Sequence, residues 1–174
     1  KTLIKKAAEL KYDVLSITCH RKILFSDSLK KFATKNGILL IPGIEFEINK
    51  KHILAINPTN EILKVKSFND LRKYRKNNPS TLIIAPHPFF LSHFCLGKDL
   101  EKNIDCFDAI EISWSYTKRI NFNKKAFEMA EKYKLSLIST ADCHILNFLD
   151  IGYAKIKAEK NAKSIFAAIK KGEI

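Results

Sequence analysis

The sequence predicts an α/β domain built around a mainly parallel β-sheet. Short apolar runs rich in branched residues alternate with amphipathic helical stretches along the chain. Most of these runs are apolar throughout, which is typical of strands covered on both faces. Strand–helix alternation of this kind favours parallel strands joined by crossover helices. The pattern does not separate an open sheet from a barrel, and 174 residues are fewer than the roughly 250 of a complete (β/α)8 barrel.

Seven strands and five helices are predicted in chain order. The predicted strands are residues 13–18, 38–42, 52–56, 82–85, 109–113, 135–139 and 153–156. The predicted helices are residues 3–10, 28–36, 68–77, 121–133 and 162–171. Gly37 is expected to end the second helix, because glycine accepts the left-handed backbone that follows many helices. The link between the second and third strands is too short for a crossover helix, so a hairpin is expected there.

Length and composition predict one globular domain over residues 1–174. The chain is 46% hydrophobic, and no apolar run approaches the roughly 20 residues that cross a membrane. The four cysteines have no CxxC spacing, which gives no sign of a zinc ribbon or of a disulfide scaffold. A reducing, cytoplasmic location without a membrane partner is therefore expected. The sequence leaves the oligomeric state open.

The net charge of +13 favours anionic partners such as nucleotides, nucleic acid or phosphorylated metabolites. A lysine-rich composition without functional meaning gives the same charge, and both interpretations stay open. Basic residues cluster in the segment 64–76. A solvated helix face is favoured there over a nucleic-acid contact, because only Tyr74 interrupts the charges with an aromatic ring.

Imidazole and carboxylate side chains follow several predicted strands directly. These residues are His20, Glu45, His87, Asp142 and His144, while His52 stands at the edge of another strand. Because the carboxyl ends of parallel strands meet at one edge of a sheet, these side chains are expected to converge. Such a set suits Zn²⁺, Mn²⁺ or Fe²⁺, and a two-metal site activates water against a phosphoryl group. Taken singly, each residue also fits a loop hydrogen bond, a helix cap or a lysine pair.

Five short motifs along the chain resemble, in order and approximate spacing, those of the PHP (polymerase and histidinol phosphatase) family. They read Thr18-Cys19-His20, Pro42-Gly43-Ile44-Glu45, His52-Ile53-Leu54, His87-Pro88 and Thr140-Ala141-Asp142-Cys143-His144. The resemblance implies a distorted (β/α)7 TIM-like barrel that holds two or three divalent metal ions, Mn, Zn or Fe. It further implies hydrolysis of a phosphate mono- or diester, with a phosphorylated small molecule, a nucleotide or a nucleic-acid end as substrate. The implied metal ligands are His20, Glu45, His52, His87, Asp142 and His144, with Glu45 bridging.

Two departures from the family pattern keep other hypotheses open. The family's first motif, HxH on the first barrel strand, would precede Lys1, and Cys19 stands where the family has aspartate. The chain is therefore interpreted as a domain lacking its first strand, with an active phosphoesterase as the leading hypothesis. A non-catalytic relative with a structural or RNA-binding role and an incomplete chain unstable alone are the rivals.

Of three further residues considered for the site, only Arg21 is predicted to belong to it. Arg21 follows His20 and is expected to contact substrate phosphate. Glu111, inside a predicted strand, either orients a metal ligand or pairs with a lysine. His93 is expected to be a loop or lid residue.

Overall fold

A computed structural model describes residues 1–114, 116 and 119–174 of the chain. The strands are β1 (Val14–Ile17), β2 (Leu39–Ile48), β3 (Lys51–Ile56), β4 (Leu82–Ala85), β5 (Ala109–Ile112) and β6 (Ser136–Ser139). The helices are α1 (Thr2–Glu9), α2 (Asp27–Lys35), α3 (Phe68–Asn77), α4 (Lys98–Lys102), α5 (Lys124–Tyr133) and α6 (Ala162–Lys171). Short 3-10 turns cover Asn60–Lys64, Ile104–Cys106 and Leu146–Phe148.

The expectation of a (β/α)7 barrel is wrong. The six strands form one mixed sheet in the order β1-β2-β3-β4-β5-β6, curved into a half-barrel with β1 and β6 at its two edges. Residues 153–156, predicted as the seventh strand, have an irregular backbone. The sheet is also not all parallel, because β3 pairs antiparallel with both β2 and β4.

The reversal of β3 follows from a tight turn. Asn49 and Lys50 are the two residues between β2 and β3, and both have positive φ angles, of 52° and 64°. Two successive positive φ angles are the mark of a type I′ hairpin turn, whose twist matches that of the strands it joins. The predicted hairpin is confirmed at this point. The other three strand pairs, β1–β2, β4–β5 and β5–β6, are parallel.

The two faces of the sheet carry different helices, as the two-residue alternation of a strand requires. On one face Ile44, Ile53 and Ile83 pack in a core with α3 and α5. On the other face Ile41, Leu54 and Ile84 pack against α6. Residues 43, 45 and 47 of β2 share the α6 face with Ile41, so the Glu45 and Glu47 side chains lie on that face of the sheet.

Local signals in the sequence explain where most helices begin and end. Ser26 and Asn161 cap α2 and α6 by accepting backbone N–H hydrogen bonds, and Ser67 forms a capping box with Asp70 at α3. Gly37 follows α2 with a φ of 75°, as expected. The predicted helix 121–133 begins only at residue 124, while α4 was not predicted at all.

Among the helices in the described parts of the chain, none combines the length and the apolar character that a membrane crossing needs.

Candidate metal centre

Glu45 is the centre of a cluster of imidazole rings. Its Oε2 lies 3.3 Å from His20 Nδ1, and its Oε1 lies 3.0 Å from His52 Nδ1 and 3.6 Å from His87 Nε2. The ligand atoms of Glu45, His52 and His87 all lie within 4.8 Å of one another. One carboxylate therefore faces three imidazoles at distances that a shared cation can bridge.

The strand directions bring these residues to one edge of the sheet. His20 lies just beyond the end of β1 and forms a parallel bridge with Glu45, while His87 comes two residues after β4. His52 is near the beginning of β3, opposite Glu47 in the antiparallel register. Because β3 runs against its neighbours, its beginning lies at the edge where the parallel strands end. The reversed strand thus brings His52, a candidate ligand, to the same edge.

Gly43 lets β1 approach β2 closely beside Glu45. A side chain at this position would collide with the Ser16 hydroxyl and would put a Cβ 2.8 Å from the Thr18 methyl group. The Pro-Gly pair ahead of Glu45 therefore has a packing reason. It keeps the β1–β2 pairing tight up to the point where His20 meets the carboxylate.

Asp142 and His144 complete the lining of the same cavity. His144 Nδ1 lies 3.6 Å from Asp142 Oδ1, and the His144 and His20 rings are 6.0 Å apart between centroids. The cavity has a volume of about 400 Å³. All six residues predicted as metal ligands line it, together with Glu47 and Phe94. Direct contacts join three histidines to Glu45, while Asp142 and His144 contact each other.

The cavity has a buried floor and an open mouth. The side chains of His52 and His87 are 11% and 15% exposed, whereas those of His20 and His144 are 49% and 68% exposed. Phe94 stacks on the His52 ring at 4.7 Å between centroids and limits its access to water. A ligand entering from solvent would therefore meet His20 and His144 first.

The cavity holds an acidic and a basic group of opposite charge close together. Burial alone would raise the pKa of Glu45, but the nearby imidazoles of His52, His87 and His20 outweigh it and lower the pKa to about 2. Burial lowers the pKa of His87, but Cys95 and the carboxylates of Glu45 and Glu111 outweigh it and raise the pKa to about 10. At neutral pH an ionised carboxylate thus lies opposite an imidazolium.

The buried atoms of the floor fit a cation better than they fit one another. His52 Nδ1 is buried and has no well-aligned hydrogen bond to any residue that the structure describes, although Glu45 Oε1 is only 3.0 Å away. Buried polar atoms normally have partners, and one without a partner needs an explanation. A bound metal ion would give this nitrogen one, and imidazole with carboxylate is a donor set that Zn²⁺, Mn²⁺ and Fe²⁺ accept.

The backbone is strained at two of the cavity residues. His87 and Asp142 have φ angles of 28° and 41°, in a region that residues other than glycine seldom adopt. Such strain persists only where the surroundings hold it, and it concentrates at functional sites. The support at His87 comes from Glu111, whose Oε2 accepts the His87 backbone N–H at 2.6 Å.

Glu111 ties two strand ends together from behind the cavity. Its other oxygen, Oε1, accepts a hydrogen bond from the Thr140 hydroxyl, two residues before Asp142. No lysine pairs with it among the described residues, so the structure favours the orienting role over the lysine pair. Burial raises the pKa of this carboxyl group to about 7, although Thr140 and His87 oppose the shift.

The fold has a solved counterpart. The chain is similar to a two-domain protein from Bacteroides vulgatus containing a predicted PHP-like metal-dependent phosphoesterase, with a TM-score of 0.67 and 19% identity. The match covers 98% of this chain and 58% of that one, so the chain spans little more than half the length of its neighbour. No protein-family model matches the chain. No curated protein matches it either. At this identity the likeness shows the fold alone.

Some residues around the cavity were not predicted from the sequence. For one of them the sequence pattern carried the information, and for the others it did not. Glu47 lies two positions after Glu45 on the same strand face, so the alternation of β2 carried the information. Phe94 and Cys95 lie in the irregular segment after β4, which has no periodicity to read.

Two other predicted residues lie at or beyond the rim. Arg21 is exposed, and its Nη2 donates to Glu47 Oε2 at 2.8 Å. This ion pair holds the guanidinium at the mouth of the cavity rather than inside it. His93 is exposed and does not belong to the lining residues, and its ring contacts Phe94.

Proposed function

We propose that this chain is a metal-dependent phosphoesterase domain that hydrolyses a phosphate mono- or diester. The observation that carries the proposal is the carboxylate of Glu45 facing His20, His52 and His87 in an open cavity. The fold shared with a protein containing a predicted PHP-like metal-dependent phosphoesterase supports the same reaction class. A metal-assisted hydrolysis needs ligands on a rigid frame and a path for solvent and substrate, and the cavity provides both.

The ligand set falls into two groups that suit more than one cation. Glu45, His52 and His87 would hold a metal ion at the floor, and Glu45 Oε2 with His20 extends the donors toward the mouth. Asp142 and His144 would complete a second position beside His20. When bound, such ions lower the pKa of water and polarise phosphoryl oxygens. We propose two or three ions of Mn, Zn or Fe, with Glu45 as the bridging carboxylate.

The chain's own groups prepare the site for positive charge and for an anionic substrate. Glu45 stays ionised at physiological pH because its pKa is about 2, so it presents a full negative charge to a cation. Arg21 stands at the mouth and can exchange its Glu47 partner for a substrate phosphate, since a guanidinium binds either oxyanion. The proposed substrate is a phosphorylated small molecule, a nucleotide or a nucleic-acid end, and the cavity volume of about 400 Å³ with its open side supports a substrate of this kind.

Hydrolysis of p-nitrophenyl phosphate and of bis(p-nitrophenyl) phosphate tests the proposal after the protein is loaded with Mn²⁺, Zn²⁺ or Fe²⁺. Metal-dependent turnover of either ester is expected, and Glu45→Gln should reduce it by about 100-fold or more because the central ligand is lost. His93→Ala is the matched control, since this exposed histidine lies near the cavity but does not line it. It should keep the activity.

The same panel decides between the catalytic and the non-catalytic hypotheses. Arg21→Ala should raise KM more than it lowers kcat if the guanidinium binds substrate phosphate. If the protein binds metal but no phosphate ester is turned over, the catalytic proposal is wrong and a metal-binding, non-catalytic role takes its place. Full turnover in Glu45→Gln would show that the chemistry lies elsewhere.

A further inference from the structure

The two ring nitrogens of His87 face different partners. Nε2 points into the cavity, 3.6 Å from Glu45 Oε1, while Nδ1 lies 3.3 Å from Cys95 Sγ. An imidazole binds a metal ion through a nitrogen without a proton, and the hydrogen bond at the other nitrogen decides which one that is. The partner of Nδ1 therefore bears directly on whether Nε2 is available as a ligand.

Cys95 lies behind the His87 ring and does not line the cavity. Cys95 is 4% exposed, and it is not among the residues that line the cavity. The segment after β4 folds back on itself, with Cys95 N–H donating to Ser92 O at 3.2 Å and Gly97 N–H donating to Pro88 O at 2.8 Å. These hydrogen bonds hold the backbone that carries Cys95, and its sulfur lies against the His87 ring.

Only one direction of the Nδ1–sulfur hydrogen bond is compatible with a ligand at Nε2. If Nδ1–H donates to the sulfur, Nε2 is the nitrogen that gives up its proton and offers its lone pair beside Glu45 when a cation binds. If the thiol donates to Nδ1 of a neutral ring, the ring proton sits on Nε2 and blocks it. A sulfur atom accepts a hydrogen bond whether or not it carries a proton. Cys95 can therefore hold the His87 ring in the form that has its proton on Nδ1.

We infer that Cys95 is a positioning residue that orients the His87 ring and keeps its proton on Nδ1, so that Nε2 is presented to a metal ion. The inference rests on the proposed metal-binding function. Glu111 fixes the backbone of His87 through its N–H, and Cys95 fixes the ring, so the two contacts constrain different parts of one residue. Outer partners of this kind tune metal affinity by about 10- to 100-fold.

The test compares Cys95→Ala with Cys106→Ala, its matched control. Cys106 is also buried, at 0% exposure, but its sulfur contacts the Phe68 carbonyl on α3 and no cavity residue in the part of the chain that the structure describes. Zinc affinity is measured by chelator competition, and unfolding in urea is measured with chelator present. Both variants should lose similar metal-free stability, but only Cys95→Ala should bind zinc about 10- to 100-fold more weakly. Cys95→Ser should recover part of the affinity, since its hydroxyl also accepts a hydrogen bond.

A second readout does not depend on metal. In the chelated protein, ¹H–¹⁵N spectra of the imidazoles should show a His87 Nδ1 proton that exchanges slowly with water because the sulfur accepts its hydrogen bond. The exchange should become fast in Cys95→Ala and stay slow in Cys106→Ala. Unchanged zinc affinity in Cys95→Ala, or an Nδ1 proton indifferent to the substitution, overturns the inference. If wild-type protein binds no zinc, the proposed function fails instead, and the Nδ1 signal still decides the role of Cys95.

Discussion

Replacing Glu111 by glutamine removes a buried charge behind the candidate metal centre and so measures its effect on stability. Glu111 is 2% exposed and accepts hydrogen bonds from the His87 backbone N–H and the Thr140 hydroxyl. Glutamine has nearly the same shape and resembles the protonated carboxyl group. The substitution therefore removes the charge while it leaves one acceptor for His87 and a polar group for Thr140.

The magnitude follows from the raised pKa of Glu111. Its pKa is about 7 in the folded protein, against an ordinary value of 4.5. The folded state thus holds this proton more tightly than the unfolded state, so the stability falls as pH rises from about 4.5 and levels off above about 7. Linkage over these two values gives a cost of about 1 kcal/mol at about pH 5 and about 3 kcal/mol at about pH 8. Glu111→Gln avoids this cost at both pH values, because glutamine does not ionise.

Urea unfolding of the chelated protein at about pH 5 and at about pH 8 measures the effect. Relative to wild type, Glu111→Gln should gain about 1 kcal/mol at the lower pH and about 3 kcal/mol at the higher one. Glu128→Gln is the control, because it removes the same charge from the exposed side of α5 and should give a small difference at both values. A Glu111→Gln difference that does not grow with pH, or that is destabilising at the higher value, would refute the reasoning.

The remaining predictions concern proton release and the packing of β1. Because the pKa of His87 is about 10 and that of Glu45 about 2 before metal binds, zinc binding at neutral pH should displace about one proton from His87 and none from Glu45. Titration calorimetry in buffers of different ionisation enthalpy measures that proton, and a buffer-independent heat would contradict the prediction. Gly43→Ala should destabilise the protein by about 1–3 kcal/mol, because the new methyl group collides with the Ser16 side chain and crowds Thr18. Urea unfolding measures it, and an unchanged midpoint would mean that β1 does not pack as described.

The sequence predicted most helices and strands of the fold, but the expected closed barrel is an open sheet. Periodicity located the six strands and five of the six helices, and the short link after β2 predicted the hairpin. The barrel came from the family resemblance and not from the pattern of elements. The seventh predicted strand was wrong because the apolar residues in 153–156 look like a strand, whereas Ala154 and Ile156 pack against the α6 core from an irregular segment. An apolar run satisfies a core in either conformation, so composition cannot separate the two.

The candidate site was more predictable than the fold that carries it. Strand-end placement predicted that His20, Glu45 and His87 lie close together, as they do in one cavity, because the edge where parallel strands end is fixed by direction alone. The contact between His87 and Cys95 had no such signal, since it depends on how an irregular segment folds back. The orientation of Glu111 also depends on tertiary packing, which left two interpretations open at the level of the sequence.

Metal content per chain tests the central claim most directly. Protein purified without chelator, loaded with Mn²⁺, Fe²⁺ or Zn²⁺ and freed of excess metal, is analysed for its elements. The wild type and His93→Ala should retain at least about one ion per chain, because Glu45, His52 and His87 hold their ligand atoms within 4.8 Å of one another. The Glu45→Gln, His87→Ala double variant should lose it while remaining folded. Retention of the same metal content by the double variant, or no metal in the wild type, would contradict a metal centre at this cavity.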